Sequence, residues 1–280
     1  MPRRPPRTRP ATPPAPDWRS YDAVAELYDR VRAPLHEGPA RDLVALLQLG
    51  PDDRVLDVGT GTGVAARAAQ EATAPGGLVI GVDTSLQMLR MAGERGVRLR
   101  AQAQALDLPF ADGAFTAVTA AFVIFFFKKY ETALHDLKRV LHPGGRLGVT
   151  TWGPIEDEFR RAWRAIAEAF VGREMLSDAM RQAAPWERHF SDPAKLKEAL
   201  RDSGFREVRV EERPYRHTIG LDDYIAGRET SATGRFLRGM LGETVWERFH
   251  ARVTEAFHER FPDPIGDTDD VLLAIGVNPG

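Results

Sequence analysis

Residues 54–63, RVLDVGTGTG, run from a short apolar stretch into three alternating glycines, Gly59, Gly61 and Gly63, and then into the helical pattern VAARAAQEAT. A buried strand that ends in so bare a turn and reopens as a helix is the first half of a strand–helix–strand unit. Such a unit commits the next strand to run parallel, with the helix as its crossover. The alternation then repeats. LVIGVDT reads as a second strand and SLQMLRMAGERG as a helix with Ser85 as its N-cap. VRLRAQAQ reads as strand three, FTAVTAAFVIF as strand four, and YETALHDLKRVL as a helix stopped by HPGG. RLGVTTW, REVRVEER and DDVLLAIGV supply strands five, six and seven. The pattern predicts an α/β fold: a seven-stranded, mostly parallel, doubly wound sheet with helices on both faces.

Other segments lie outside that alternation. Trp18 to Leu49 reads as helical, YDAVAELYDRV and GPARDLVALLQLG, with a break at Ala33-Pro34. After strand five, IEDEFRRAWRAIAEAF places Ile155, Phe159, Ala162, Ile166 and Phe170 on one face. DPAKLKEALRDSGF reads as a helix before strand six. Between strands six and seven a helical block runs from Leu221 to Phe261, with a capping-box spacing at Thr244 and Glu247 and a stripe of Trp246, Phe249, Val253 and Phe257. Both insertions leave the sheet where they can return across the strand C-termini. They predict a helical lid, segments 154–189 and 221–262, with Phe159, Trp163, Trp246 and His250 near the pocket it roofs. The competing use of these stripes is packing on one another or across a homodimer interface.

Composition bounds the function. The first sixteen residues hold seven prolines and four arginines and no acid, which predicts a disordered leader over residues 1–17 ahead of one folded domain, 18–280. Removing those four charges takes the formal net charge from −2 to −6. A mildly acidic body argues against nucleic acid as a partner. The longest apolar stretch, Thr116 to Phe127, is well short of the roughly 18 residues of a membrane span. With no export-type leader, a cytoplasmic location is expected. The chain has no cysteine, which excludes disulfides, thiolate nucleophiles and cysteine-ligated metals.

The glycine loop calls for a ligand with negative or polar groups at a helix N-terminus. Its spacing, Asp57-x-Gly59-x-Gly61-x-Gly63, is not the dinucleotide fingerprint, because Val64 stands where that pattern has glycine. Asp83 ends the second strand twenty residues after Gly63. ALDLPFADGAFTAV precedes and enters strand four, and LKRVLHPGGRLGV leads into strand five. These four features in this order resemble the class I S-adenosylmethionine-dependent methyltransferases. The resemblance is closest to the small-molecule branch that includes the ubiquinone/menaquinone C-methyltransferases. It covers about Tyr21 to Trp152 and Phe190 to Val210, and implies a Rossmann-like fold with S-adenosyl-L-methionine as cofactor.

The resemblance implies site residues. Asp83 would accept from both ribose hydroxyls, and the bare backbone of Gly59, Thr60, Gly61 and Gly63 would approach the methionine part. Asp57 would orient the amino group, directly or through water. Thr84, Leu86 and Met88 would lie beside the adenine. Gln104 stands where the family usually has an acid that receives the adenine amino group; Asp107 is the alternative acceptor. Tyr28 on the N-terminal helix, Ala105, Ala121 and Phe122 complete the expected cofactor contacts.

For the substrate side, Tyr21, Phe126, Trp152, His189, Trp246 and His250 are the candidates. Phe125, Phe126 and Phe127 replace residues that are often polar in relatives, which predicts an apolar pocket for a small, largely apolar molecule. No metal cluster is visible: Asp222-Asp223 and Asp269-Asp270 read as helix-start and strand-entry charges. No convincing base stands out among His189, His250 and His142. The expected reaction is metal-independent methyl transfer to an O, N or C atom, driven by alignment. The alternative is an enzyme that keeps the cofactor but cyclises, decarboxylates or hydroxylates.

Overall fold

The computed structural model describes residues 20–154 and 157–280. The expected leader, Trp18 and Ile155 lie outside them. A short 3-10 turn, Asp22–Val24, leads into α1 (Ala25–Val31) and α2 (Ala33–Leu47). The break falls at Arg32, so Ala33-Pro34 opens the second helix, where proline's missing N–H costs nothing. Then follow β1 (Arg54–Val58), α3 (Val64–Ala72), β2 (Leu78–Asp83), α4 (Leu86–Glu94), β3 (Leu99–Gln102) and β4 (Phe115–Ala121). Next come α5 (Tyr130–Val140), β5 (Leu141–Trp152), α6 (Glu158–Val171), α7 (Arg173–Ala183), α8 (Glu187–Phe190) and α9 (Pro193–Asp202). The chain ends with β6 (Arg206–Ile219), α10 (Leu221–Thr230), α11 (Ala232–Leu241), α12 (Glu243–Arg260) and β7 (Ile265–Val277).

The strand order is β3-β2-β1-β4-β5-β7-β6, parallel except for β7, which is antiparallel to both its neighbours. This is the seven-stranded, mostly parallel fold the pattern predicted. Val55, Leu56, Ala117 and Val118 are fully buried because helices cover both faces of the central strands. The order reverses between β1 and β4, which opens a crevice at their C-terminal ends.

Several boundaries differ from the sequence reading. Strand four stops at Ala121; Phe122 turns left-handed (φ 53°) and Ile124–Phe126 coils as a 3-10 turn. Strands six and seven are longer than predicted. They pair out to Ile219 and Ile265, past Trp152 at the end of β5, and form a ribbon beyond the sheet. Asp269 is therefore no entry charge but a buried residue within β7, bonded to the Arg160 guanidinium at 2.7 Å. The capping box at Thr244 does not form: α12 starts at Glu243 from Gly242 with no side-chain cap.

The ribbon and helices α6, α7, α10, α11 and α12 enclose a second apolar cluster, separate from the sheet core, built around Phe159, Trp163, Tyr224, Phe249 and Phe257. The stripe Trp246, Phe249, Val253 and Phe257 is buried inside this cluster, so it is covered within the chain. Arg160 ties α6 to β7 through Asp269 and also pairs with Asp157, the N-cap of its own helix. The N-terminal turn is tied to α4: Asp22 Oδ1 accepts from Ser85 Oγ at 2.5 Å and from the Gln87 N–H at 3.0 Å.

Candidate functional site

The glycine loop owes its shape to three left-handed residues, Gly59 (φ 70°), Gly61 (φ 53°) and Gly63 (φ 90°). A side chain at Gly63 would start 2.6 Å from Val97 and 3.2 Å from Ala92, so this glycine lets the start of α3 close on α4 and the connection that follows it. At Gly61 nothing would oppose a Cβ, because the position faces open space. Two carboxylates flank the loop. Asp83 takes the Gly61 N–H on Oδ2 and the Ser85 N–H on Oδ1, each at 2.9 Å, which fixes loop and helix start together. Burial pushes its carboxyl above the usual carboxylate range, against these two bonds.

Asp57 pairs in register with Thr119 across the β1–β4 crevice, and Thr119 Oγ1 donates to its Oδ1 at 2.7 Å. Oδ2 is buried with no hydrogen-bond partner, and Asp57 as a whole is only 1% exposed. Burial pushes this carboxyl up too, with the Thr119 hydroxyl opposing. The hydroxyls of Thr60 and Thr62 are also buried without partners. Buried polar atoms left open at a crevice mark where a polar ligand would complete the bonding.

These atoms surround a cavity of about 40 Å³. Seven predicted cofactor positions line it: Tyr28, Asp57, Gly59, Thr60, Gly61, Ala121 and Phe122. Its donor set suits an amino-acid ammonium and carboxylate: an open carboxylate oxygen, free hydroxyls and bare backbone. Gly63, Asp83, Thr84, Met88, Gln104 and Ala105 lie outside that lining. Asp83 and Thr84 continue the same edge at the end of β2, where Thr84 is exposed. Met88 is on the buried face of α4, while Leu86 is exposed. Gln104 is exposed in a bridge with Asp107, and Ala105 is buried next to it. The residues present therefore fit S-adenosylmethionine: the open atoms would meet its methionine end and Asp83 its ribose end.

A second cavity of about 120 Å³ adjoins the first, and Tyr28, His36 and Phe122 line both. Of the substrate candidates, Tyr21, Phe126 and Trp152 line it. Phe122 holds its strained left-handed backbone through bonds from its N–H to Thr150 O and Oγ1, and its ring clusters with two others, stacked on His36 at 4.6 Å and tilted against Trp152 at 4.2 Å. Strain of this kind persists where surrounding contacts over-determine it, often at functional sites. Phe125 is core, and Phe127 packs partly buried against the core.

The other candidates lie elsewhere. His189 packs against Tyr130 and Trp186, outside the cavity lining. Trp246 is buried among the lid aromatics. His250 is off the apolar stripe: its side chain is 51% exposed, with Nδ1 2.6 Å from Glu229. A helix turns 100° per residue, so His250 lies beside Phe249 and not behind it. Phe159 and Trp163 likewise belong to the lid core and do not line the cavity. The lid residues that do line it include Met180 of α7, Glu187 of α8, Arg228 of α10 and Thr233 of α11. Helix α7 lies within the predicted lid segment 154–189 and buries Leu176, Ala179 and Ala183 on one face. Among the described residues, no three His, Asp or Glu side chains group as a metal site.

His36 is the residue that sequence reasoning missed. It sits on α2, 8% exposed, with Nδ1 3.1 Å from the Tyr28 hydroxyl and Nε2 without a partner. Burial, helped by the charge of Arg32, drops its pKa to about 3. The signal was available: His36 is one helical turn before Ala40 and two before Leu43, on the buried face of its helix.

Comparison with known proteins bears on the family and the fold. A family model described as a methyltransferase domain matches residues 56–149. Nocamycin O-methyltransferase of Saccharothrix syringae is 32% identical over 206 residues, spanning 68% of this chain and 72% of that enzyme. Demethylmenaquinone methyltransferase of Thermus thermophilus is 50% identical over 143 residues, 48% of this chain and 64% of that enzyme. Among solved structures, phosphoethanolamine N-methyltransferase 2 of Haemonchus contortus, in complex with phosphomonomethylethanolamine and S-adenosylhomocysteine, aligns with a TM-score of 0.55 at 17% identity. That alignment covers 96% of this chain and 62% of that one, a likeness of fold.

Proposed function

Because this chain belongs to the class I S-adenosylmethionine-dependent methyltransferase family, we propose that it methylates an O, N or C atom of a small molecule with an apolar, ring-bearing frame, without a metal. The observation that carries the reading is the shared boundary of the two cavities. Tyr28, His36 and Phe122 face both the glycine-loop side and the lid-covered side, so a cofactor in one meets an acceptor in the other.

When bound, S-adenosylmethionine supplies an activated methyl group together with its leaving group. What remains for the protein is alignment and exclusion of water. Asp57 and the glycine loop hold the methionine end, and Asp83 holds the ribose end. The rings of Phe122, Phe126 and Trp152 supply flat apolar surface for the acceptor. Orientation of this kind is worth roughly 7–11 kcal/mol of barrier. His36, neutral with a pKa of about 3, positions and does not store a proton at neutral pH.

The test has two stages. Titration calorimetry should show S-adenosylhomocysteine binding to the folded protein; no heat at high micromolar ligand would sink the reading. With labelled cofactor and a panel of ring-bearing acids, phenols and amines, mass spectrometry should find a product carrying one added methyl. A converted product of unchanged mass would show a different reaction on the same fold.

A further inference from the structure

The larger cavity is chemically two-sided. Rings from the sheet ends and the N-terminal helices meet a group of guanidiniums there: Arg32 at the α1–α2 junction, Arg160 on α6 and Arg228 on α10. One carboxylate, Glu187, lines it against these three. Arg160 is already committed, to Asp157 at 3.0 Å and Asp269 at 2.7 Å. The other two are not. Arg228 stacks over Trp163 at 5.1 Å, and its buried Nε has no hydrogen-bond partner. Arg32 stacks over Trp152 at 5.4 Å. Neither forms an ion pair with a carboxylate among the described residues, and neither does Glu187.

Two guanidiniums held half-buried without counter-ions are costly. Burial depresses the Arg228 charge, and Arg160 and Arg32 add repulsion to it. Burial also pushes Glu187 up, weakening the one opposing charge. An arrangement this unfavourable in the free protein is relieved by an anion that enters with the ligand. The guanidinium fork matches a planar pair of oxygens, and the rings beside it match a planar frame. The cofactor cavity is lined by none of the three arginines, so its own carboxylate is not the evident partner.

We propose that the acceptor is a planar, ring-bearing oxyanion, of carboxylate or enolate type, whose charge is received by Arg228 and Arg32. This rests on the methyltransferase reading above and narrows its substrate class. It also fits a site whose histidine is held neutral: an acceptor that arrives as an anion needs no proton removed.

The test uses the full chain saturated with S-adenosylhomocysteine and two isosteric probes, 2-naphthoate and 2-naphthamide, titrated by calorimetry. The naphthoate should bind at least about tenfold more tightly. Arg228→Gln and Arg32→Gln should each reduce that preference severalfold while amide affinity stays. Glu187→Gln, which removes the opposing charge, should tighten naphthoate binding and leave the amide unchanged, an effect that loss of fold would not produce. Equal affinity of the two probes, no naphthoate binding up to millimolar, or a Glu187→Gln variant that weakens it would overturn the inference. So would loss of S-adenosylhomocysteine affinity in both arginine variants, which would assign the guanidiniums to the cofactor. Failure of the wild-type protein to bind S-adenosylhomocysteine would instead remove the underlying reading, and this inference with it.

Discussion

The phenol oxygen of Tyr28 lies 3.1 Å from Nδ1 of His36, and these two side chains stand between the two cavities. Burial pushes Tyr28 above its ordinary range and holds His36 neutral, so both groups keep fixed protonation states near neutral pH. Nε2 of His36 is buried with no hydrogen-bond partner among the described residues, so an open polar atom stands where the two cavities meet.

His36 should make stability depend on pH in a definite direction. Its folded pKa of about 3 lies below its ordinary value of 6.5. Between those values the unfolded chain takes up a proton that the folded chain refuses. Stability is therefore lost as pH falls through 6.5 toward 3, by up to about 1.4 kcal/mol per unit. His36→Phe keeps a ring against Phe122 and removes the titration. Urea unfolding at pH 7 and pH 5 should show a wild-type loss greater than the variant's by about 2 kcal/mol. Parallel losses would mean that His36 is protonated in the folded state.

Asp57 sets stability against binding. Its folded pKa is raised by burial, so its contribution is fully present below the unfolded pKa of 3.8 and declines as pH rises through the folded value. At pH 7 the buried, half-satisfied carboxyl is a cost to the free protein. Asp57→Asn should leave the melting temperature of the free protein equal or higher, and weaken S-adenosylhomocysteine binding by about tenfold or more. A lower melting temperature with unchanged affinity would make Asp57 a structural residue only.

Asp83→Ala should act on both loop and ligand. It removes the acceptor for the Gly61 and Ser85 N–H groups and the carboxylate proposed for the ribose. S-adenosylhomocysteine affinity should fall by about 1–3 kcal/mol. Asp83→Asn retains one acceptor oxygen and should lose less. If alanine bound as well as wild type, the ribose assignment would fail.

The sheet was legible because its strands are apolar runs separated by helices of ordinary period, and the glycine loop because only bare backbone closes that turn. The strand ends were harder to place. Phe122 to Phe126 continue the apolar composition of strand four, and the turn away from the sheet at Phe122 is held by tertiary contacts, its N–H on Thr150 and its ring against His36 and Trp152. The cavity roof was misjudged for a related reason. Apolar stripes mark what a helix buries, and in α6 and α12 that is the lid's own core. The residues facing the cavity, Arg228 and Glu187 among them, carry charge and so look like surface in a sequence.

That distinction makes the last prediction. Trp246 is 4% exposed and packs on Phe249 at 5.2 Å, away from the cavity lining. Truncating a buried tryptophan removes its packing and leaves a void, so Trp246→Ala should cost about 3–5 kcal/mol of stability in the lid. Its affinity for S-adenosylhomocysteine should stay within a factor of about two, because the glycine loop belongs to the sheet and not to the lid cluster. Met180→Trp, at a residue that lines the cavity, should do the opposite. Added volume there should weaken acceptor binding while the melting temperature changes by only a few degrees. Thermal melts and paired titrations of the two variants separate the roles. If Trp246→Ala lost acceptor binding at a temperature where its lid was still folded, Trp246 would have to reach the acceptor after all.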